Sequence, residues 1–295
     1  MRPVLVFLLF FIAALFVGAL LAYPLYLIAG LFADVQFSSV TIKSTQLCGL
    51  VFSLLYLLYS DQLTLEKIGL KADSHQLMPQ FGTGFISGLL LFAGLALALF
   101  AFGIYGINSG RDLGLLAVAK LLIGAVLTGL AVALFEETLF RGALLQGLRK
   151  QAGMNRAIVT ISLIYAATHF INYPEPVDPA TIGWLTAVQL FMPAYLGIFS
   201  LQNIDALLAL FVLGLLFAFI RIRNRNLFQC IGLHAGVVAG VKLFRYFTDY
   251  RPDNTWNYLV STYDYRLGWL ACGWLMFVTI AYFVYLHRKP KTTNA

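Results

Sequence analysis

The sequence predicts an all-α fold, a polytopic transmembrane helix bundle of about eight spans with one further re-entrant or interfacial segment. Three observations carry that reading. Of 295 residues, 60% are hydrophobic and only 11% charged, and the mean hydropathy of +0.83 lies far outside a soluble composition. Apolar runs of membrane-spanning length recur along the whole chain. The basic residues gather in the short loops between those runs, and the positive-inside bias accounts for the net charge of +7 without a nucleic-acid partner.

At about 17–25 apolar residues per span, spans are expected at residues 4–32, 44–59, 81–107, 113–148, 156–171, 204–220, 227–247 and 267–286. The first follows Arg2 and is too long for a signal-peptide core, so it reads as a retained span. Between the second and third, Leu63, Leu65, Ile68 and Leu70 alternate with charges, as in a short amphipathic element lying along the interface. His75 in that loop reads as a solvated residue, and His287 as an interfacial flank beside Arg288 and Lys289. Cys48, Cys230 and Cys272 are isolated and sit in or beside apolar runs, so they read as small buried residues. No repeat, heptad array or long linker divides the chain, and residues 1–295 are expected to form a single membrane domain.

Loop charge sets the expected topology. With the N-terminus inside, Arg2, Lys67, Lys71, Arg149, Lys150, Arg156, Arg221, Arg223, Arg225, Arg288, Lys289 and Lys291 fall on the cytoplasmic side, twelve of the 20 basic residues. Both termini are then cytoplasmic, in a prokaryotic inner or plasma membrane. A full crossing by residues 181–200 would force Arg221, Arg223 and Arg225 outside, so that stretch, which contains Pro193 and Gly197, is expected to be re-entrant or interfacial.

Inside the fourth run stand Glu136, Glu137 and Arg141. Ionisable groups at membrane depth are expensive and point to function. Glu137 and Arg141 are four residues apart and share a helix face, where they can pair; Glu136 lies about 100° away and cannot use the same arginine equally well. A carboxylate paired with arginine stays ionised, whereas an unpaired one can take up and return a proton. Glu136 is therefore the candidate base and Glu137 the structural partner. His169 and His234 lie inside later spans, and at about 1.5 Å per residue they come to a depth broadly similar to that of Glu136. Gly232, Gly236 and Gly240 form a stripe for close helix approach, with His234 facing the opposite way.

Two carboxylates and two imidazoles permit two chemistries. A water activated by Glu136 can attack a peptide carbonyl with histidine assistance; alternatively Glu136, His169 and His234 can hold a zinc ion with an open position. No His-Glu-x-x-His motif is present. A non-catalytic membrane scaffold or immunity-type binder, or a proton-coupled transporter, are the other uses such a cluster permits.

Glu136-Glu137-x-x-x-Arg141, then Tyr165 four residues before His169, then His234, resembles the CAAX protease and bacteriocin-processing family (CPBP, or Abi), over about residues 113–245. The resemblance implies an intramembrane endopeptidase similar to the type II CAAX prenyl endopeptidases, a hydrolase of membrane-associated proteins or peptides whose glutamate activates water. It implies Glu136 as base, Glu137 and Arg141 as a supporting pair and His169 and His234 as helpers, with no cofactor, zinc being the alternative. The expected partners are membrane lipid and the peptide or protein substrate. The chain departs from the family pattern at Tyr165, where phenylalanine is usual, and at Val238, where the prenyl proteases have an asparagine. Asn257, Tyr165 or a backbone N–H is the expected substitute for that lost donor.

Overall fold

The computed structural model describes residues 2–59, 61, 64–71, 74–170, 178–190 and 200–288. Helix covers most of each of the eight expected apolar runs, and the described residues form eleven α-helices in all. In order these are α1 (Arg2–Gly30), α2 (Phe37–Tyr59), the one-turn α3 (Leu65–Ile68), α4 (Ser74–Ala101), α5 (Leu115–Glu137), α6 (Leu145–Ala152) and α7 (Met154–Thr168). The short α8 (Thr186–Gln189), α9 (Ile204–Asn224), α10 (Phe228–Phe247) and α11 (Trp269–Arg288) follow. Among the described residues, six helical segments are long and apolar enough to cross a membrane, and Trp269–Tyr285 is a shorter apolar helix. At 15 residues, α7 is about 22 Å long and too short to cross unaided. Large apolar side chains such as Leu9, Leu97, Leu127 and Phe277 face outward, the surface expected of a chain solvated by lipid. The protein is an integral membrane helix bundle.

Helix α10 lies at the centre, packed along α4 and α5. The glycine stripe explains why. A Cβ on Gly232 or Gly236 would collide with the carbonyl oxygens of Phe81 and Phe85, and one on Gly84 or Gly88 with those of Gln229 and Leu233. Small residues on both helices thus bring two backbones into contact. The register, Phe81 beside Gly232 and Phe92 beside Gly240, makes α4 and α10 parallel. Each then runs into a strand at the same end, and β1 (Tyr105–Ile107) pairs antiparallel with β2 (Thr248–Tyr250) through Tyr105–Tyr250 and Ile107–Thr248. On the other side of α10, Lys242 Nζ donates to Gly124 O at 2.9 Å and Thr128 Oγ1 at 2.8 Å, tying α10 to α5.

The expected amphipathic element is reduced to the single turn α3. Thr64 caps it, and Gly69 ends it in the left-handed conformation (φ +83°). Ile68 is buried while Leu65 is exposed, and Leu63 lies outside the described residues. His75 is exposed as expected, and the three cysteines are buried.

Of the expected re-entrant stretch, residues 191–199, with Pro193 and Gly197, lie outside the described residues. What flanks them is informative. Phe170, just after α7, clusters with Ala206 and Leu210 of α9, so α7 ends and α9 begins at the same end of the bundle. Trp184 packs on Tyr23 at 5.7 Å, and Ala187 joins Ala19, Ala22 and Phe37, the end where α1 finishes. At the opposite end Lys67, Arg149, Lys150, Arg221 and Arg225 surround one cavity, as the charge argument requires of residues sharing a side.

A branched residue in the glycine stripe tests this packing. Gly236→Val is expected to destabilise the protein by about 1–3 kcal/mol, read as a lower unfolding midpoint in detergent. Gly49→Ala, mid-helix where an added Cβ meets nothing within 4 Å, is expected to leave the midpoint equal or higher.

Candidate active site

The helix that begins at α5 does not continue as a regular α-helix. From Thr138 to Leu144 it widens into a π-helical segment, and the Leu145 N–H reaches back to Phe140 O before α6 resumes. Wide turns of this kind are rare and concentrate at functional sites. Gly142 lies in it, and a Cβ there would come within 2.8 Å of Ile68 O, so α3 is seated directly against the segment.

Glu137 closes α5, and Arg141 projects from the wide turn. The expected pair forms: Arg141 Nη1 donates to Glu137 Oε1 at 3.0 Å, with the side chains 1% and 0% exposed. A second guanidinium nitrogen, Nη2, reaches Gly214 O of α9 at 3.4 Å. Aromatic faces complete the cation's surroundings, with Tyr165 at 4.3 Å and Phe217 at 4.8 Å from the guanidinium carbon. A file of rings continues through Phe140 to Phe7 of α1, at 5.4 Å and 6.4 Å.

His234 comes from α10 to the same carboxylate. Its Nδ1 lies 2.9 Å from Glu137 Oε1, which already accepts from Arg141, so Nδ1 carries the hydrogen and donates it. In the neutral ring the lone pair is then on Nε2. The Nε2 atom faces Glu136 Oε2 at 3.9 Å, beyond direct hydrogen-bond range. The ring stacks on Phe217 at 5.1 Å, which fixes its plane. Glu136 is the open member of the cluster: its side chain is 22% exposed, yet its Oε2 is buried with no hydrogen-bond partner. Arg141 pairs with Glu137 and not with Glu136, as the four-residue spacing leads one to expect.

His169 is placed differently. Its Nδ1 lies 2.8 Å from Tyr165 O and its ring meets Tyr165 edge-on at 4.7 Å. Among the described residues no hydrogen bond or ion pair joins it to either glutamate. Among the described residues no group of three or more His, Cys, Asp or Glu side chains converges closely enough in this arrangement to hold a metal ion. Asn257 is also not a spare donor, because its Nδ2 is engaged by Arg251 O at 2.9 Å and Pro252 O at 2.8 Å. Val238 lies half-buried one turn after His234.

Several site residues carried no sequence signal. Phe217 sits in an unbroken apolar run, and only folding sets it against both Arg141 and His234. Thr138 Oγ1 and Ser162 Oγ are buried hydroxyls without a hydrogen-bond partner near the cluster. A serine seven residues before His169 on the same helix was the one available hint.

Removing one partner of a buried ion pair strands the other charge. Arg141→Ala is therefore expected to lose about 3–5 kcal/mol of stability and with it most folded protein. Glu136→Gln is expected to leave abundance and unfolding midpoint unchanged, both measured on detergent-solubilised membranes.

Residues 118–239 match the family model described as Rce1-like, type II CAAX prenyl endopeptidase Rce1-like. The matched stretch holds Glu136, Glu137, Arg141, His169 and His234 and falls within the expected core of residues 113–245. Among curated proteins and among solved structures nothing matches the chain. The segment that builds the buried carboxylate cluster is thus similar to the Rce1-like type II CAAX prenyl endopeptidase family over residues 118–239, and it is set within an integral membrane protein.

Proposed function

We infer that this protein is an intramembrane endopeptidase in which Glu136 activates the attacking water. One observation carries the reading: Glu136 Oε2 is buried and unpartnered, 3.9 Å from His234 Nε2. The gap is too long for a direct bond and suits one water in contact with both atoms. Glu136 accepts one of that water's hydrogens and the Nε2 lone pair accepts the other, which leaves an oxygen lone pair free for a peptide carbonyl. As the C–O bond forms, Glu136 takes the proton. It then gives that proton to the amide nitrogen as the C–N bond breaks, so the carboxylate is restored and acid and amine leave. Glu137 and Arg141 act behind His234, holding its hydrogen on Nδ1. A packing role accounts for Glu137 with Arg141, but it leaves the unpartnered Glu136 without an explanation.

The substrate class that fits is a membrane-associated protein or peptide, because the cluster is built from helices of an apolar bundle and its Glu137 and Arg141 are buried. We assign the basic end of the bundle to the cytoplasmic face on the positive-inside bias. His169 is assigned a lesser, orienting role through Tyr165.

In this reading Glu136→Ala lowers hydrolysis of a membrane-anchored peptide by at least about 10²-fold with abundance intact, and His234→Ala does the same. His169→Ala has a smaller effect. Cleavage is read by mass spectrometry of the products in proteoliposomes, and full activity in Glu136→Ala would remove Glu136 as the base. Metal analysis provides a second test: stoichiometric zinc in the purified protein, lost in Glu136→Gln, would replace the metal-free mechanism.

A further inference from the structure

Away from the glutamate cluster, where α6 and α9 end, lies a cavity of about 570 Å³. Its charged lining is Lys67, Arg149, Lys150, Arg221, Arg225 and a single acid, Glu66. Two of these are engaged: Lys67 pairs with Asp61, and Glu66 Oε2 with Lys71 Nζ at 3.2 Å. Among the described residues the other four cations have no ion pair.

Exposed basic residues at the end of a bundle are ordinarily solvated, and three of the four fit that description. Arg221 does not. It is 4% exposed and its Nε is buried without a hydrogen-bond partner. Its guanidinium lies under Gly69, where a Cβ would come within 2.6 Å of Nη2, so the left-handed glycine that ends α3 is also what admits the arginine. A buried guanidinium with no counter-charge is costly. Its planar fork matches phosphate oxygens, and Leu145, Met154 and Ile222 add an apolar wall to the same cavity.

We propose that this cavity binds a phosphate group, that of an anionic phospholipid at the membrane face, with Arg221 as the buried anchor and Arg149, Lys150 and Arg225 around the mouth. The apolar wall receives the glycerol and first acyl carbons. The site is separate from Glu136 and does not depend on the peptidase reading.

The test uses the full chain in nanodiscs of phosphatidylcholine alone, phosphatidylcholine with phosphatidylglycerol, and phosphatidylcholine with inorganic phosphate in the buffer. Unfolding midpoint and phospholipid retained in native mass spectrometry are recorded for each. Phosphatidylglycerol is expected to raise the midpoint and to be retained, with apparent affinity roughly tenfold or more weaker in Arg221→Gln. The double variant Arg149→Gln/Arg225→Gln, which alters no buried side chain, is expected to weaken it as well. The same protection from inorganic phosphate, lost in the same variants, keeps the phosphate site and transfers its source to the free anion. Protection by phosphatidylglycerol that is equal in wild type and both variants, or no protection from either phosphate source, overturns the proposal.

Discussion

A single oxygen, Glu137 Oε1, accepts from both Arg141 and His234, and the middle of the bundle is arranged around that double acceptance. Buried at membrane depth, the carboxylate cannot be left alone, and neither can the guanidinium. Pairing them does not by itself make the fold more stable than apolar packing would. What the arrangement secures is orientation. With the arginine clamped between Tyr165 and Phe217 and the carboxylate clamped by the arginine, His234 has one place for its hydrogen, and its other nitrogen faces Glu136.

Delivering His234 to that oxygen requires α10 to sit deep in the bundle, and the glycine contacts achieve it. Residues 84 and 88 on α4 interlock with 232 and 236 on α10, so the two helices touch backbone to backbone. The β1–β2 pair then joins their ends. The opposite face of α10 is left for α5, whose Gly129 is overlain by Ala235 O. One side of the helix thus serves close approach and another carries His234 to Glu137, as the angular separation of His234 from the glycines leads one to expect.

Loop charge and helix packing also agree on the course of the chain, though they rest on different physics. The bias in Lys and Arg reflects how a chain is inserted, whereas the contact of Phe170 with Ala206 and Leu210 reflects burial. Both put the end of α7 and the start of α9 at one end of the bundle. At the other end the same basic residues do more than mark a side, because one of them, Arg221, is folded inward beneath Gly69.

Periodicity and hydropathy made the helices legible, since a span must bury its backbone polar groups within itself and that requirement is local. Four-residue spacing likewise made the Glu137–Arg141 pair legible, along with the exclusion of Glu136 from it. The sequence did not reveal that α5 opens into a π-helical turn at Thr138, because that geometry is selected by what packs there, Ile68 against Gly142 among others. Nor could it tell the two histidines apart. His169 and His234 look equivalent at similar depth, yet one bonds to the carbonyl of its own helix and the other crosses to Glu137. Sequence alone determined which groups had to be buried and which of them could pair along one helix; only the tertiary structure decided the partners that come from different helices, because those depend on how closely backbones approach.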